Sequence, residues 1–249
     1  MPFMVKDGDA TRLIAQLADI EYRDTHSFFE ARGAGDQSSA LTATMYQEAT
    51  LAERRDRAEK ETILPLFALN KSDRVLDVGC GAGRWAEVVV PIVGDYLGID
   101  FSASLLEIAR RKVPGARFQR LSVDRLDLDA LTIAPPFSLI ICSGILAYIN
   151  DRDVATLISV LGKAASPRSR IYIREPIATT SRLTLKSHWS EELRTQYSAI
   201  YRTRTEYLQL FRNLPDFSLS TEAMPFPARL QNREETQQWF FLLERAPSV

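Results

Sequence analysis

The sequence predicts an α/β fold built on a mostly parallel sheet, and three observations predict it. A short strand over residues 75–78 runs into a glycine-rich turn and then into a helical stretch. A second strand over residues 96–100 follows about one helix later. A continuous apolar run over residues 137–142 is typical of a strand that is buried on both faces. Strands that alternate with helices in this way predict a parallel sheet with helices on both sides.

Length and composition indicate an ordinary globular protein. The chain has 249 residues, of which 45% are hydrophobic and 25% charged, and this length suits one domain with additions. Its net charge of -1 implies no large basic field for nucleic acid, although a local patch is compatible with it. Cys80 and Cys142 are the two cysteines, which favours a reducing compartment over a disulfide scaffold. Without a long apolar run or a signal peptide, we expect a cytosolic protein and no membrane segment.

The glycine-rich turn identifies the kind of ligand. Gly79, Gly81 and Gly83 let the backbone turn sharply and let a ligand approach it, because no Cβ stands in the way. The spacing G-x-G-x-G differs from the dinucleotide fingerprint G-x-G-x-x-G. Asp77 would repel a pyrophosphate but suits an ammonium group, and Asp100 ends the second strand, where an acid can bind two ribose hydroxyls. The pattern therefore favours an adenosine with a cationic amino-acid tail, S-adenosylmethionine, over NAD.

The segment Val75-Leu-Asp-Val-Gly-Cys-Gly-Ala-Gly83, together with Gly98-Ile-Asp-Phe-Ser102, resembles the class I S-adenosylmethionine-dependent methyltransferases. The resemblance covers about residues 71–175 and implies a Rossmann-like, seven-stranded, mostly parallel sheet with the cofactor across the carboxyl ends of the strands. Two strands near the end of the chain fit the antiparallel pair that closes the sheet of this family. We therefore expect residues 71–249 to form the methyltransferase core.

The resemblance also implies further cofactor contacts. Phe101 follows the ribose-binding acid, and Ser143, at the end of the fourth strand, should border the sulfonium. After the third strand the family usually has an acid for the adenine amine and then an apolar residue under the ring. Ser122 and Val123 stand at these places here, with Asp124 one residue later. Whether Ser122 or Asp124 contacts the adenine stays open.

About seventy residues precede the first core strand, and in this family such N-terminal helices commonly form a lid over the cofactor. We predict one helix over residues 9–32, a flexible break at 33–39, and a second helix that leads into the charged run 52–61. After that run, Ile63, Leu64, Leu66 and Phe67 should dock the second helix on the sheet. We interpret that charged run as a solvated helix face. The apolar residues at helical spacing are Leu13, Leu17, Ile20, Leu41, Met45 and Leu51. Residues 1–70 are thus the expected lid.

Candidate catalytic residues come from the lid and from the fifth strand. Tyr22, His26 and Phe29 share one face of the first predicted helix. Histidine has an ordinary pKa of about 6.5, so His26, assisted by Tyr22, is our candidate general base. The alternative is a surface histidine beside a half-buried tyrosine. Glu175, at the end of the fifth strand, is the next candidate base, and a salt bridge to Arg84 or Arg174 is its alternative role.

An insert over residues 177–213 is a place where this family puts a cap over the acceptor. We predict a helix that starts after Ser190, and its tyrosines at helical spacing suggest an aromatic pocket with polar tips. The alternative is an added helix with a core stripe. The candidate acceptor-binding residues are Tyr148, His188, Trp189, Tyr197 and Tyr201.

The predicted function is methyl transfer to a small organic acceptor with an aromatic or heterocyclic ring, in specialised metabolism. The lid and the insert are loosely similar to bacterial natural-product methyltransferases, including some that methylate indole carbon. We expect no metal, because His26 and His188 lie far apart without a carboxylate at ligand spacing. The alternatives are a regulatory module that binds the cofactor without methyl transfer, a methylation-coupled cyclase, and an enzyme that methylates N or O of another small metabolite.

Overall fold

The computed structural model describes residues 11–35, 49–191 and 193–246. In chain order the strands are β1 (Arg12–Ile14), β2 (Arg74–Val78), β3 (Asp95–Asp100), β4 (Arg117–Arg120), β5 (Phe137–Ser143), β6 (Ala165–Ala178), β7 (Leu183–Ser190), β8 (Thr195–Tyr201), β9 (Phe217–Ala223) and β10 (Thr236–Arg245). The α-helices are α1 (Tyr22–Ala34), α2 (Ala49–Phe67), α3 (Ala86–Val89), α4 (Ala103–Lys112), α5 (Asp151–Ala164) and α6 (Arg204–Leu210).

Seven strands form the main sheet in the order β4-β3-β2-β5-β6-β10-β9. The first five of these run parallel, and β10 is antiparallel to both β6 and β9. The predicted fold class is therefore confirmed, including the antiparallel pair that closes the sheet. Alternate residues of each strand enter two apolar layers, so Leu76 and Ile140 pack with α5 while Val75 and Leu139 pack with α2 and α3.

The prediction of a helix over residues 9–32 is wrong for its first half. Arg12–Ile14 is a strand that pairs antiparallel with β7, and Leu17, from the predicted apolar stripe, is 80% exposed. The helix begins at Tyr22. A strand over Arg12–Ile14 is favoured because its backbone groups pair with β7, a distant partner that local spacing does not show. The predicted helical residues Leu41 and Met45 lie outside the described residues.

The charged run of α2 is not a solvated face, which corrects the second interpretation. Arg55, Asp56 and Glu59 are buried, although Glu53, Arg54 and Glu61 are exposed. Ile63 and Phe67 dock the end of the helix on the sheet, as expected. The buried charges therefore face the interior at the point where the helix crosses the carboxyl ends of the strands, and they have partners there.

The insert after the fifth strand is a β-hairpin followed by a short helix, so the predicted long helix is wrong. β7 and β8 pair antiparallel, and with β1 they form a separate three-stranded sheet. Ser190 ends β7 instead of beginning a helix, and the helix α6 starts after Thr203, which forms a capping box with Glu206. Residues 197–201 of β8 are all buried, and tyrosine and isoleucine pack well on a pleated surface.

Within the parts of the chain that the structure describes, no helix is long and apolar enough to cross a membrane.

Candidate functional site

A cavity of about 190 Å³ opens at the carboxyl ends of the parallel strands. The sheet forms its floor, while α1 and the β7–β8 hairpin form its walls. This is the place where open α/β sheets bind ligands. One end is formed by the glycine turn and the residues after β3 and β4, and the other by aromatic residues, among them Phe28, Phe29, Tyr148, Tyr197 and Tyr201.

The glycine turn has the backbone that the sequence predicts. Gly79 and Gly81 line the cavity, and their φ values are +69° and +52°. Residues other than glycine rarely adopt such values. A Cβ on Gly79 would lie 2.2 Å from Cγ2 of Ile145. Gly83 has φ +78° but does not line the cavity, and a Cβ there would lie 3.0 Å from Cβ of Ala109. Gly83 thus lets the turn pack against α4, which corrects its expected place as a cofactor contact.

Two buried carboxylates flank this turn. Burial raises the pKa of Asp77 to about 6, against the hydrogen bond of 2.6 Å that the Tyr96 hydroxyl donates to it. Burial also raises the pKa of Asp100 to about 6, although its carboxylate accepts hydrogen bonds from the backbone N–H groups of Ser102 and Gly81. Neither carboxylate forms an ion pair among the described residues, although the charge of Arg84 lowers the pKa of Asp77, so a ligand that brings an ammonium group or hydroxyl donors would stabilise the charged form of each.

The residues expected around the adenine are brought together. Phe101, Ser122, Val123 and Asp124 all line the cavity. The Ser122 hydroxyl donates a hydrogen bond to the Asp124 carboxylate, so the two candidates for the adenine amine form one polar unit. Val123 lines the cavity beside them. The open choice between Ser122 and Asp124 thus becomes a pair, in which the serine holds the carboxylate in place.

The helix α1 brings His26 to the cavity wall. Its imidazole is half-buried and stacks on the Phe101 ring, with the centroids 4.2 Å apart. Tyr22 also lines the cavity, but its hydroxyl donates to the Asp153 carboxylate at 2.5 Å and accepts from the Asn150 N–H at 3.0 Å. Burial, with this bond to Asp153, raises the pKa of Tyr22 well above its ordinary value. Tyr22 is therefore an anchor of α1 on α5, which corrects its expected role as an assistant of His26.

Glu175 is fully buried and lies outside the cavity lining, so its expected role as a base is corrected. Its carboxylate accepts hydrogen bonds from the backbone N–H groups of residues 145, 146 and 147. Burial raises the pKa of Glu175 to about 7 in spite of these three donors. The expected alternative, a salt bridge to Arg84 or Arg174, is also absent from the described ion pairs. Successive residues of a strand point to opposite faces, so Arg174 reaches the cavity and Glu175 the layer below it.

The two hairpin tyrosines meet in the cavity. Tyr197 and Tyr201 are 6% and 7% exposed, and their hydroxyls lie 3.0 Å apart. Residues four apart share a face on a strand as well as on a helix, so the predicted pairing holds although the element is different. Tyr148 also lines the cavity, and its ring packs edge-on against Phe29 at 4.9 Å.

His188 and Trp189 do not line the cavity, which corrects two of the expected acceptor contacts. His188 Nδ1 lies 2.8 Å from the hydroxyl of Thr11, on the β1 side of the hairpin. The Trp189 ring is 52% exposed, and its Nε1–H donates to Glu191. Both residues lie near the end of β7, where His188 contacts the β1 segment and Trp189 is exposed to solvent.

An ion-pair network that sequence analysis missed borders the cavity. The Arg84 guanidinium donates to Asp56 at 2.9 Å, to Glu59 at 2.8 Å and to the Ser143 hydroxyl at 2.9 Å. Arg174 donates to the other Glu59 oxygen at 3.2 Å. Burial raises the pKa of Glu59, but the charges of Arg174 and Arg84 outweigh this and hold it at about 2. Ser143, which lines the cavity as expected, is thereby fixed by Arg84.

A signal for two of the missed residues was present in the sequence. Arg84 directly follows the glycine triplet, and Arg174 has the same strand parity as Tyr172 near the end of a parallel strand. Arg233 and Gln238 also line the cavity, but their segment lies far along the chain. Its placement depends on β10 and on Arg55 of α2, which donates to the Leu230 carbonyl oxygen at 2.7 Å. Local patterns do not predict such a contact.

The fold and this site define a class of protein. The site offers a glycine cradle, a buried acid for an amino group, a second acid for a ribose and an apolar slot beside Phe101, so its groups fit S-adenosylmethionine. These are the features of class I S-adenosylmethionine-dependent methyltransferases.

Comparison with known proteins agrees with this class. Residues 75–168 match the methyltransferase domain family. The trans-aconitate 2-methyltransferase of Methylobacterium nodulans is 28% identical over 50% of this chain and 46% of its own length. Phosphoethanolamine N-methyltransferase 1 of Triticum aestivum is 22% identical over 64% of this chain and 31% of its own length. The chain thus spans less than half the length of these curated relatives.

Solved structures show the same fold. Phosphoethanolamine N-methyltransferase 1 of Haemonchus contortus, in complex with phosphoethanolamine and S-adenosylhomocysteine, has a TM-score of 0.70 at 18% identity, over 92% of this chain and 50% of that one. A S-adenosylmethionine-dependent methyltransferase of Leishmania major has a TM-score of 0.66 at 16% identity, over 89% of this chain and 82% of that one. These solved structures confirm the predicted fold. Together with the family match, the comparisons confirm the predicted class and its cofactor, S-adenosylmethionine.

The role of Asp100 can be tested by its titration. Asp100→Ala is expected to weaken S-adenosylhomocysteine binding by about 1–3 kcal/mol, because the ribose hydroxyls and two backbone N–H groups lose their acceptor. Since the pKa of Asp100 is raised to about 6, wild-type affinity should also fall as the pH drops through 6 and the carboxylate is protonated. Calorimetry between pH 5 and 8 measures both effects. Asp95→Ala, at the other end of β3, is the control. A wild-type affinity that is independent of pH would contradict this role.

Proposed function

We propose that this chain transfers the methyl group of S-adenosylmethionine to a small organic acceptor with an aromatic or heterocyclic ring, the indole ring included. One observation carries the proposal. A single cavity joins the cofactor-type groups Gly79 and Asp100 to an aromatic chamber formed by α1, Tyr148 and the β7–β8 hairpin. The names of the relatives cover acceptors of several chemical kinds, so the acceptor is inferred from the residues that line the chamber.

The chain's own residues position the reactants and exclude water. When bound, S-adenosylmethionine supplies an electrophilic methyl group on a good leaving group, so positioning and desolvation are the main tasks. The aromatic walls of the chamber serve both tasks. We propose that residues 1–70 act as its lid. In support, Tyr22 fastens α1 to α5, and the Ser104 hydroxyl donates to the Glu30 carbonyl oxygen at 3.0 Å.

Arg202 holds the hairpin against the rest of the chamber. Its fully buried guanidinium donates to the carbonyl oxygens of Leu146 and Ile149, at 2.6 and 2.7 Å, and to the Asp151 carboxylate at 2.7 Å. Tyr148 lies between these two carbonyls in sequence, so one arginine fixes both Tyr148 and the end of β8. The walls of the chamber are therefore joined to one another by protein groups, as expected of a pre-organised acceptor site.

We propose His26 as the general base for an acceptor that loses a proton. It lines the cavity from the lid, and neutral histidine accepts protons near neutral pH. His26→Ala is expected to lower kcat by about 10²–10⁴-fold, the usual contribution of general base catalysis, with little change in affinity for S-adenosylhomocysteine. His188→Ala is the matched control, because it removes the other histidine, outside the cavity. An equal loss of cofactor affinity in His26→Ala would instead assign the imidazole to the adenosine, beside Phe101.

The methyl-transfer function is tested directly with labelled cofactor. The protein is incubated with methyl-labelled S-adenosylmethionine and a panel of indoles, phenols, amines and carboxylates, and labelled products are separated by chromatography. We expect transfer to at least one ring-containing acceptor. Tight binding of S-adenosylhomocysteine without transfer to any acceptor would contradict the proposal and favour a module that binds the cofactor without turnover.

A further inference from the structure

We propose that the acceptor carries a carboxylate and that Arg174 binds it; this inference rests on the methyl-transfer function proposed above. Arg174 lies near the carboxyl end of β6 and lines the cavity. Two neighbours share its face of the sheet: Pro176 of the same strand, and Gln238 of β10, which pairs with Pro176. All three line the cavity, so this corner of the sheet forms one continuous surface toward a ligand.

The network around Arg174 carries one uncompensated positive charge. Its ion pairs join four cations, Arg84, Arg174, Lys60 and Lys112, to three carboxylates, Asp56, Glu59 and Glu87. Arg84 is held by both Asp56 and Glu59, whereas Arg174 contacts Glu59 alone, at the longer distance of 3.2 Å. Lys112 also contacts a single carboxylate, but its side chain is 31% exposed against 7% for Arg174, so Arg174 is the least neutralised of the buried cations.

The guanidinium of Arg174 also has donors to spare. The residue is 6% exposed, its Nη2 donates to Glu59, and its Nε has no hydrogen-bond acceptor among the described residues. Its Nη1 lies 3.4 Å from the position of a Cβ on Gly144, so glycine at that position keeps the approach to Nη1 open. A buried cation with unused donors is costly until an anion pairs with it, and a carboxylate forms strong, charge-assisted hydrogen bonds with arginine.

Other polar groups of the cavity lining would suit an oxygen-rich anion. Thr25 is buried and lines the cavity, and its hydroxyl has no partner among the described residues. Arg233 adds a further cation to the cavity wall. Three acids belong to the described lining of the cavity: Asp77 on β2, Asp100 on β3 and Asp124 after β4. In the strand order, all three stand on the other side of β5 from Arg174. Arg174 thus lies apart from the acids that line the cavity. One excess charge matches a carboxylate better than a phosphate, which carries close to two negative charges near neutral pH.

The main competing ligand is the carboxylate of the cofactor itself. Strand order separates the two possibilities, because Arg174 stands on β6, one strand beyond Ser143 of β5 and three beyond Asp100 of β3. Arg84, which donates to Ser143, is closer to the glycine turn and is the better placed cation for the cofactor's carboxylate. Arg174 then remains for the acceptor.

The experiment measures acceptor binding to the protein saturated with S-adenosylhomocysteine, so that turnover is not needed. Indole-3-carboxylate and 4-hydroxybenzoate are titrated beside their neutral carboxamides, with phenyl phosphate as a third arm. The variants are Arg174→Gln and Arg174→Lys, and Arg170→Gln is the control because it changes an arginine of the same strand and face, away from the cavity. We expect wild type to prefer a carboxylate over its carboxamide by at least tenfold. Arg174→Gln should remove this preference while affinity for S-adenosylhomocysteine stays within twofold, and Arg174→Lys should keep part of it.

Each other outcome overturns the inference in a defined way. Equal binding of carboxylates and carboxamides by wild type, or tighter binding of phenyl phosphate, would rule out an acceptor carboxylate at this site. A tenfold loss of S-adenosylhomocysteine affinity in Arg174→Gln would assign Arg174 to the cofactor. A wild type that does not bind S-adenosylhomocysteine would overturn the proposed methyl transfer and this inference with it. Methyl transfer that persists without Arg174-dependent discrimination would overturn this inference alone.

Discussion

Replacement of Gly81 by valine is expected to abolish binding of S-adenosylhomocysteine while the protein remains folded. Gly81 has φ +52° and lines the cavity, so a β-branched side chain would both strain the backbone and occupy the space where the ligand approaches it. The strain costs about 1–2 kcal/mol, which a domain of this size tolerates, whereas the loss of ligand space removes the site. The Gly81 N–H also donates to the Asp100 carboxylate at 2.9 Å, so a shifted turn would move the ribose-binding acid as well.

Calorimetry of wild type and variant with S-adenosylhomocysteine tests this expectation, and circular dichroism with thermal unfolding shows whether the variant is folded. Gly115→Val is the matched control, because a Cβ at Gly115 meets nothing within 4 Å and the residue lies outside the cavity lining. Unchanged affinity in a folded Gly81→Val protein would remove the glycine turn from the cofactor site.

The cofactor half of the site could be predicted from sequence because its contacts are local. Gly79, Gly81 and Asp100 follow directly from the ends of β2 and β3, and neighbouring parallel strands bring these ends together. Ser102 shows the same logic at the level of one residue. Serine is a preferred N-cap residue, and the Ser102 hydroxyl, directly before α4, accepts the Leu105 N–H at 3.2 Å. Gly83 is the exception in the glycine turn, because its side of the turn packs against α4.

The acceptor half was predicted only in part, for a geometric reason. Residues four apart share a face on a helix and on a strand, so Tyr197 and Tyr201 were placed together correctly although their element was predicted wrongly. The predicted acceptor contacts of His188 and Trp189 were wrong, because the orientation of these side chains depends on which strands the hairpin pairs with. β7 pairs with β1, whose residues lie about 170 positions earlier in the chain. A pairing over such a separation leaves no trace in local periodicity.

Parity along β6 accounts for the most consequential error. Arg174 and Glu175 are neighbours at the end of one strand, and sequence analysis named the carboxylate as a candidate base and the arginine only as its ion-pair partner. The structure turns Glu175 to the backbone of residues 145–147 and Arg174 to the cavity. Counting from Tyr172, whose hydroxyl also reaches Glu59, gives the correct face for Arg174. The interpretation of the charged run of α2 as a solvated face was wrong for a related reason, since its partners Arg84 and Arg174 come from other elements.

Glu59→Gln is expected to have the largest effect on stability of any single change in this network. The carboxylate is fully buried and accepts hydrogen bonds from Arg84 and Tyr172, both at 2.8 Å, and from Arg174 at 3.2 Å. The network already has one excess positive charge, and removing the charge of Glu59 adds a second. Breaking a buried ion pair from one side typically costs about 3–5 kcal/mol, and we expect a loss of that size in the free energy of unfolding. Urea denaturation at pH 7 measures it.

The pH dependence of this loss identifies its cause. The pKa of Glu59 is held at about 2 in the folded protein, below its value of 4.5 in the unfolded chain, so its ionised form stabilises the fold. That contribution is fully present above pH 4.5 and is lost as the pH falls through 2. The gap in unfolding free energy between wild type and Glu59→Gln should therefore be constant between pH 5 and 7 and should shrink below pH 4.5. Glu61→Gln, an exposed residue of the same helix, is the control and should change stability by less than about 0.5 kcal/mol. A gap that stays the same down to pH 2 would mean that packing, and not the charge of Glu59, stabilises this part of the fold.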